Sequence, residues 1–184
     1  MTLACTWLRA LTAYHFPNDP QEVERLNIQH DILKIVLNER NYFAPFSKTN
    51  PPRKVLDVAT GTGRWAMEMG DEFPQADIIG TDLSPIQPEL VNPNVRFYVD
   101  DATDEWQQGP EWWDLDYVHT RMTAGCWSDM PSQLIKPALE RLRPGGWLES
   151  QELGCSIECD DGTSRPGPLS YMTSELVAAS GMWP

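Results

Sequence analysis

The segment Lys54–Trp65, KVLDVATGTGRW, constrains this chain more than any other stretch. It begins with a short apolar run of β-branched character, which predicts a buried parallel strand. The chain then turns through Gly61 and Gly63 and enters a helical pattern over Arg64–Phe73. Glycine lets the backbone adopt positive φ and lets a ligand come close. A helix that starts here points its free amide groups into the crevice above the strand, where open α/β sheets bind ligands.

Two ligands fit this loop, and charge separates them. The loop contains G-x-G-x-x-A, which satisfies the dinucleotide-binding pattern, and Asp82 follows about 20 residues later, where a ribose-binding acid belongs. Counted from Asp57, the loop resembles the acidic, glycine-rich loop of class I S-adenosylmethionine-dependent methyltransferases, with Ala59 in place of the first glycine. A carboxylate repels a pyrophosphate but attracts the ammonium and sulfonium of S-adenosylmethionine. Asp57 therefore favours the cationic cofactor, and a strand–helix turn without a ligand is the third alternative.

Composition excludes several classes of protein. The chain has 184 residues, enough for one domain with a core, and its net charge of −13 argues against binding nucleic acid or an anionic membrane. No apolar run reaches the about 18 residues of a membrane-spanning helix. The start, MTLACTWLRALTA, lacks the basic n-region of a signal peptide, and Arg9 interrupts its apolar stretch. We expect an intracellular protein, in the cytoplasm or nucleus, without nucleic-acid or membrane partners.

The cysteines give no metal signature. The four cysteines are irregularly spaced, Cys155-x3-Cys159 is not a metal-binding spacing, and the three histidines are scattered. Free thiols in a reducing compartment are therefore expected rather than a disulfide or a zinc site, and the chain is predicted to hold no metal.

A helix start is encoded at Asp19. This residue can cap the helix, Pro20 suits the first helical position, and Glu22 can complete a capping box. Residues at helical spacing then predict an amphipathic helix that runs to about Arg40 and packs on the sheet or covers the crevice. The stripe consists of Val23, Leu26, His30, Leu33 and Leu37.

The segment YHFPNDPQEVERLNIQHDILK, beginning at Tyr14, is similar to the amino-terminal signature of the fungal LaeA-like methyltransferases. The loop after Asp57, including its alanine, is also typical of them, and the resemblance extends from about Tyr14 to Leu153. It implies that Tyr14 and the following helix lie over the cofactor, so Tyr14 and His30 are candidate contacts. The alternative for His30 is a partly buried, hydrogen-bonded histidine on an amphipathic face.

Later segments predict an α/β fold with a Rossmann-like open, mostly parallel sheet, about five strands and helices on both faces. The further strands are Ala76–Asp82, Val95–Val99, Trp113–His119 and Trp147–Leu153, with a helix over Ser132–Leu142 that Pro137 can kink. The turn into the fifth strand, Leu-Arg-Pro-Gly-Gly-Trp, strongly resembles that of class I methyltransferases and decides against a dehydrogenase.

The resemblance implies seven strands, and the last two are missing after Leu153. We therefore predict a carboxyl-terminally truncated member in three parts. These are an amino-terminal segment with a cofactor-lid helix (1–43), a cofactor-binding core (44–153) and a loop with a short helix (154–184). A fifth strand without a neighbour would be an exposed edge.

Candidate contacts lie at the ends of successive strands. Asp82 can accept hydrogen bonds from the two ribose hydroxyls of the cofactor, with Leu83 packing on the adenine; capping the next turn is the alternative. In similar methyltransferases an acid before a small residue binds the adenine amine, which indicates Asp101 and Ala102. The tryptophans that follow either wall the adenine pocket or anchor their loop in the core.

His119 ends the fourth strand, where methyl donor and acceptor should meet. It is the one histidine considered as a general base, because an unperturbed imidazole titrates near neutrality. The resemblance equally allows a cofactor contact, with Arg121 structural. The full predicted cofactor set is Tyr14, Asp57, Ala59, Thr60, Gly61, Gly63, Asp82, Leu83, Asp101, Ala102 and His119.

The predicted function is S-adenosylmethionine-dependent methyl transfer to an unknown acceptor, a small molecule or a protein. The sulfonium methyl is already activated, so positioning of the acceptor is the main requirement. The resemblance implies a role in fungal secondary metabolism or in its regulation with partner proteins. The missing strands favour the alternative of a non-catalytic regulatory or binding domain that keeps a partial cofactor site. An NAD-dependent oxidoreductase is the third hypothesis, although the chain lacks the catalytic set usual for hydride transfer.

Overall fold

The computed structural model describes residues 17–153. Tyr14 and the segment 154–184 lie outside the described residues. Within them, parallel strands form one sheet in the order β3-β2-β1-β4-β5. The elements are α1 (Pro20–Val36), β1 (Lys54–Val58), α2 (Arg64–Glu72), β2 (Asp77–Asp82), β3 (Val95–Val99), β4 (Leu115–Arg121), α3 (Lys136–Arg141) and β5 (Leu142–Gln151). The strand order reverses between β1 and β4, which opens a crevice at their carboxyl ends.

Side chains cover both faces of the sheet, as expected for parallel strands. On one face Trp65 and Met69 of α2 pack against Val55 and Ile78. On the other face the core contains Leu56, Ile79 and Val118 of the sheet together with Leu134, Ala138, Trp106 and Trp112. The predicted Rossmann-like α/β fold is therefore confirmed.

Helix α1 begins as its sequence predicts and ends earlier. The Asp19 side chain accepts a hydrogen bond from the Glu22 amide at 2.9 Å, and Pro20 occupies the first turn. The helix ends at Val36 because Asn38 and Glu39 adopt φ of +53° and +62°, which no α-helix can contain. Among the described residues, no helix is long and apolar enough to cross a membrane.

Helix α1 has a second apolar face that the predicted stripe does not include. The predicted side is buried, with Leu33 only 5% exposed. Exposed apolar side chains occupy the opposite side at the same helical spacing. They are Ile28, Ile32, Ile35 and Val36.

Strands β4 and β5 differ most from their predicted bounds. Strand β4 starts at Leu115, since the preceding Asp114 has φ of +61° and turns the chain. Strand β5 starts at Leu142, because the predicted turn 143–146 is instead a bulge within the strand. Leu115 pairs with Leu142 and Tyr117 with Trp147, so that one residue of β4 faces four of β5. The helix predicted over Ser132–Leu142 opens with a π-helical turn before α3.

The buried Asp116 side chain lies opposite this bulge. One of its carboxylate oxygens accepts hydrogen bonds from the amides of Arg53 and Lys54, at 2.9 and 3.0 Å. The other accepts a hydrogen bond from the Arg143 guanidinium within the bulge. Asp116, which lies on β4, therefore joins the start of β1 to β5.

Candidate functional site

A cavity lies at the switch point, where β1, β2 and β4 end. Its lining includes six predicted residues: Asp57, Ala59, Thr60, Gly61, Asp82 and His119. Side chains of α1 form the facing wall, with Leu26, Gln29, His30 and Leu33. The strand ends and helix α1 thus line one cavity.

The loop after β1 turns through three residues in the left-handed region. The φ angles are +57° at Ala59, +59° at Gly61 and +77° at Gly63. A Cβ atom on Gly61 would be 3.9 Å from Leu26, which is an ordinary contact, so the positive φ and not crowding favours glycine here. A Cβ atom on Gly63 would be 2.3 Å from the Phe97 ring, so Gly63 serves packing between loop and β3. Gly63 does not line the cavity.

Asp82 joins the loops that follow β1 and β2. One carboxylate oxygen accepts from the Gly61 amide at 2.7 Å, and the other accepts from the Ser84 amide at 2.8 Å. Burial raises the pKa of Asp82 to about 6, and the Asp57 carboxylate adds to this effect. Both predicted roles have a geometric basis, because Asp82 caps the turn and also lines the cavity.

His119 forms a buried pair with Asp57. The two residues face each other in the register of β1 and β4, and His119 Nδ1 lies 2.7 Å from an Asp57 oxygen. The second Asp57 oxygen accepts a hydrogen bond from the Thr60 hydroxyl. The indole of Trp65 stacks on the imidazole at 3.7 Å with an interplanar angle of 4°. His119 Nε2 is buried and has no hydrogen-bond partner among the described residues.

Charged contacts hold α1 over the loop. Glu68 of α2 is 2.9 Å from His30 Nε2 and 3.0 Å from the Lys34 ammonium. Arg64 forms an ion pair with Asp31 at 2.8 Å. The hydrogen bond from His30 lowers the pKa of Glu68 to about 2. His30 is thus hydrogen-bonded in a helix interface and also lines the cavity, while its contact with the cofactor stays a prediction.

Arg121 is a cavity residue that the sequence analysis placed outside the site. Its Nε donates to the Gln151 side chain at 2.7 Å, and its Nη1 lies 3.3 Å from His30 Nδ1. Arg121 lines the same cavity as His119, which lies two residues earlier on β4. Residues two apart on a strand share a face, and this spacing was the available signal.

Some predicted contacts lie away from this cavity. Asp101 turns towards its own loop, where it accepts hydrogen bonds from the amide and the hydroxyl of Thr103 at 3.0 and 2.6 Å. Asp101 does not line the main cavity with Asp57 and Asp82, and its role towards the cofactor stays a prediction. Leu83 and Ala102 do not line it either. Their roles towards adenine stay predictions, as does that of Tyr14, which lies outside the described residues.

Ala102 lines a second, smaller cavity beside the sheet. Asp100, Trp106 and Trp112 share this lining, and both tryptophans are only 5% exposed. The two rings therefore anchor their loop in the core and also wall a small space. Trp113 is half-exposed beneath the Arg141 guanidinium. In residues 17–153 no group of His, Cys, Asp and Glu side chains is placed to hold a metal ion.

The main cavity fits a ligand that carries positive charge at the loop. Asp57 and Asp82 contribute carboxylates there, Arg64 is neutralised by its own ion pair, and Arg121 places a further cation at the end of β4. Gly61 leaves room for a ligand above the backbone. These features agree with S-adenosylmethionine and disagree with a pyrophosphate.

Comparison with known proteins gives the same family. Residues 28–167 match the model of a methyltransferase domain. The methyltransferase pytC of Aspergillus terreus is 43% identical over 169 residues, which cover 91% of this chain and 50% of that protein. The protein-methionine methyltransferase laeA of Emericella nidulans is 35% identical over 150 residues, 80% of this chain and 38% of that protein. The chain thus spans half or less of the length of these curated relatives.

Solved structures share the fold. The plantazolicin methyltransferase BpumL, in complex with SAH, has a TM-score of 0.61 at 16% identity, covering 83% of this chain and 60% of that one. A TehB-like SAM-dependent methyltransferase from Corynebacterium glutamicum has a TM-score of 0.51 at 19% identity, covering 88% and 84%. The chain belongs to the S-adenosylmethionine-dependent methyltransferase family, among fungal relatives that include pytC and laeA.

Proposed function

We propose that this domain binds S-adenosylmethionine in the main cavity and transfers its methyl group to an acceptor inside the fungal cell. The observation that carries the proposal is the meeting of Asp57, Asp82 and the glycine loop at one cavity. The names of the relatives support a role in secondary metabolism or its regulation, since laeA of Aspergillus flavus is a secondary metabolism regulator. The acceptor is a small molecule or a protein side chain.

The chain's own residues bind and orient the reactants. The cofactor supplies a methyl group already activated on sulfur, so this chain needs mainly to hold it in line with the acceptor. Asp82 would hold the ribose. An ionised carboxylate has about four acceptor positions, so Asp82 can keep its bonds to Gly61 and Ser84 and still accept two hydroxyls.

Isothermal titration with S-adenosylmethionine and S-adenosylhomocysteine tests the binding. Asp82→Ala is expected to weaken both ligands by about 30- to 150-fold, since hydrogen bonds to a charged group contribute roughly 2–3 kcal/mol. The matched control is Asp77→Ala, the same substitution at the other end of β2. Asp77 is half-exposed and paired with Arg96, so affinity should stay within about twofold. No binding to the wild type, or equal losses in both variants, contradicts the proposal.

Labelled cofactor tests the transfer itself. The wild-type protein is incubated with S-adenosylmethionine carrying an isotopic methyl label and with fungal small molecules or proteins as acceptors. We expect labelled product with the wild type and with Asp77→Ala, and a loss of product with Asp82→Ala. Cofactor binding without labelled product from any acceptor supports a binding domain instead of an enzyme.

Cofactor affinity should fall in acid. The pKa of Asp82 is raised to about 6, so the carboxylate that accepts the ribose hydroxyls is ionised only above that pH. The affinity for S-adenosylhomocysteine should therefore decrease as the pH falls below 6, by up to about tenfold per pH unit. The free protein has the opposite dependence. The pKa of Asp82 is raised from its ordinary 3.8 to about 6 in the folded protein. The contribution of Asp82 to the free energy of unfolding is therefore lost as the pH rises through this range.

Titrations between pH 5 and 8 measure this effect. Asp82→Asn, which cannot ionise, should bind more weakly and lose the decline centred near pH 6. Parallel profiles for the wild type and Asp82→Asn would assign the dependence to another group. His30, Asp57 and His119 line the same cavity and are the groups to test next.

A further inference from the structure

We propose that residues 1–13 dock as an amphipathic helix, antiparallel to α1, on the exposed apolar face of that helix. This face, the α1 stripe, consists of Ile28, Ile32, Ile35 and Val36. The docked segment would cover the outer side of the helix whose inner side forms a wall of the main cavity. The contact involves protein alone, so it goes beyond the proposed function and does not depend on it.

The α1 stripe is a continuous apolar surface. Ile28, Ile32 and Ile35 follow one another at spacings of four and three residues, so they lie on one side of the helix. With Val36, their exposed fractions lie between 51% and 70%. Single apolar side chains on a surface are ordinary, whereas a contiguous row marks a surface that packs against something. The opposite side of α1, with Leu33, is already buried, so a cover for the stripe must come from outside residues 17–153.

The sequence before α1 has the complementary pattern. Leu3, Trp7 and Leu11 recur every four residues and would lie along one side of a helix. The polar residues fall on the other side of the same helix: Thr2, Cys5, Thr6, Arg9 and Thr12. A helix of this length is marginal alone and is stabilised by packing of its apolar side. The α1 stripe follows directly in the chain and is an apolar surface within immediate reach.

The connection between the two segments suits a helical hairpin. The residue before a proline avoids the helical conformation, so a helix in the first part of the chain must end before Pro17. Helix α1 starts at Pro20, which leaves residues 14–19 for the turn, within the about two to eight residues usual between packed helices. Thirteen helical residues extend about 20 Å, which is enough to run back past Ile28 as far as Ile32.

Charge and tethering favour the chain's own segment over a second copy of the protein. The chain carries a net charge of −13, so two copies would repel each other at this contact. Residues 1–16 contain no acidic side chain, and Arg9 is their one charged side chain at pH 7. The segment is also joined to α1, which gives it a high effective concentration at the stripe, whereas a separate molecule must be captured from solution.

Hydrogen exchange of the full chain, read by mass spectrometry, tests this contact. Amides of residues 2–13 should exchange about tenfold or more slowly than those of a free synthetic peptide with the same sequence. The double variant Ile28→Ser, Ile32→Ser should remove this protection, because it makes the stripe polar and leaves the buried side of α1 unchanged. The matched control is Leu139→Ser on α3. Leu139 is also an aliphatic side chain on a helix and is 61% exposed, so exchange of residues 2–13 should stay within about twofold.

A substitution within the segment tests the same contact from the other side. Trp7→Ser removes the central apolar side chain of residues 1–13 and leaves every residue of the described fold in place. Trypsin cleavage after Arg9 should be about tenfold faster in Trp7→Ser and in the double variant than in the wild type, because a docked helix resists proteolysis. Thermal unfolding of each variant shows whether the sheet and its helices stay folded.

Four results overturn the proposal. Wild-type exchange equal to that of the free peptide shows that residues 1–13 do not dock and leaves the stripe to a partner protein. Protection that survives the double variant places the segment on another surface. Loss of protection in Leu139→Ser assigns the effect to general destabilisation. A wild-type dimer in sedimentation that the double variant converts to monomer, with residues 1–13 unprotected, gives the stripe to a second copy. These measurements use no cofactor, so their outcome is separate from that of the proposed function.

Discussion

Asp116→Ala is expected to lower the free energy of unfolding by about 3–5 kcal/mol, the range for breaking a buried charged network. The substitution leaves the amides of Arg53 and Lys54 without their acceptor. It also leaves the Arg143 guanidinium without its buried partner. Each amide left without an acceptor costs about 1–3 kcal/mol, whereas the Arg143 guanidinium is 36% exposed and can bind water instead. Urea unfolding at pH 7 measures the loss, with Asp77→Ala as the exposed control at about 0–1 kcal/mol.

The dependence on pH gives the prediction a second test. Burial alone would raise the pKa of Asp116, but the Lys54 amide and the Arg143 guanidinium outweigh burial and lower it below its ordinary 3.8. The stabilisation is therefore complete above pH 4 and is lost as the pH falls through the lowered value. The difference in stability between wild type and Asp116→Asn should shrink in acid. A difference that stays constant down to pH 2 would show that the charge of Asp116 contributes nothing.

Gly63→Ala is expected to destabilise the fold by about 2–5 kcal/mol. A non-glycine residue in the left-handed region costs roughly 1–2 kcal/mol, and Gly63 has φ of +77°. Its new Cβ atom would also lie 2.3 Å from Phe97 Cζ and 2.8 Å from Cε1, so the ring must move. Overpacking of this kind costs about 1–3 kcal/mol. Denaturant unfolding of the purified variant measures the sum.

Gly145→Ala is the matched control. Gly145 has φ of +82°, but its Cβ atom would meet only the Arg143 side chain, at 4.0 Å. This variant should show the backbone strain alone, about 1–2 kcal/mol. The double variant Gly63→Ala, Phe97→Leu should recover part of the loss, because a smaller side chain yields space. Equal effects at Gly63 and Gly145 would show that the ring of Phe97 does not limit the site.

Local sequence patterns predict the first half of the sheet closely. The Val95–Val99 strand has the predicted bounds, and β2 starts one residue later than predicted. The glycine loop predicts the position of the cavity, because a strand followed by a glycine turn and a helix has few alternatives in an α/β fold. These features depend on residues close together in the chain. The family assignment follows from the same segments and is confirmed.

Local sequence patterns do not predict features that depend on pairing between distant segments. The 143–146 segment contains Pro and Gly and reads as a turn, yet the buried Asp116 opposite it makes a bulge favourable. The pairing of Asp57 with His119 depends on the register of β1 and β4, which no local pattern fixes. The position of Asp101 depends instead on contacts within its own turn. Its short side chain found donors in its own turn, and these local hydrogen bonds hold it away from the cavity.

Helix α1, which forms one wall of the cavity, is joined to α2 largely by charged groups. Glu68 is 31% exposed and Lys34 is 18% exposed, so water and small ions reach this interface. Attraction between such groups weakens as the Debye length shortens, whereas the apolar packing of the sheet does not. Ionic strength therefore acts selectively on this molecule. Added salt is expected to loosen helix α1 over the crevice while the strands beneath it keep their arrangement. The affinity for a ligand in the cavity would then change without a change in the fold.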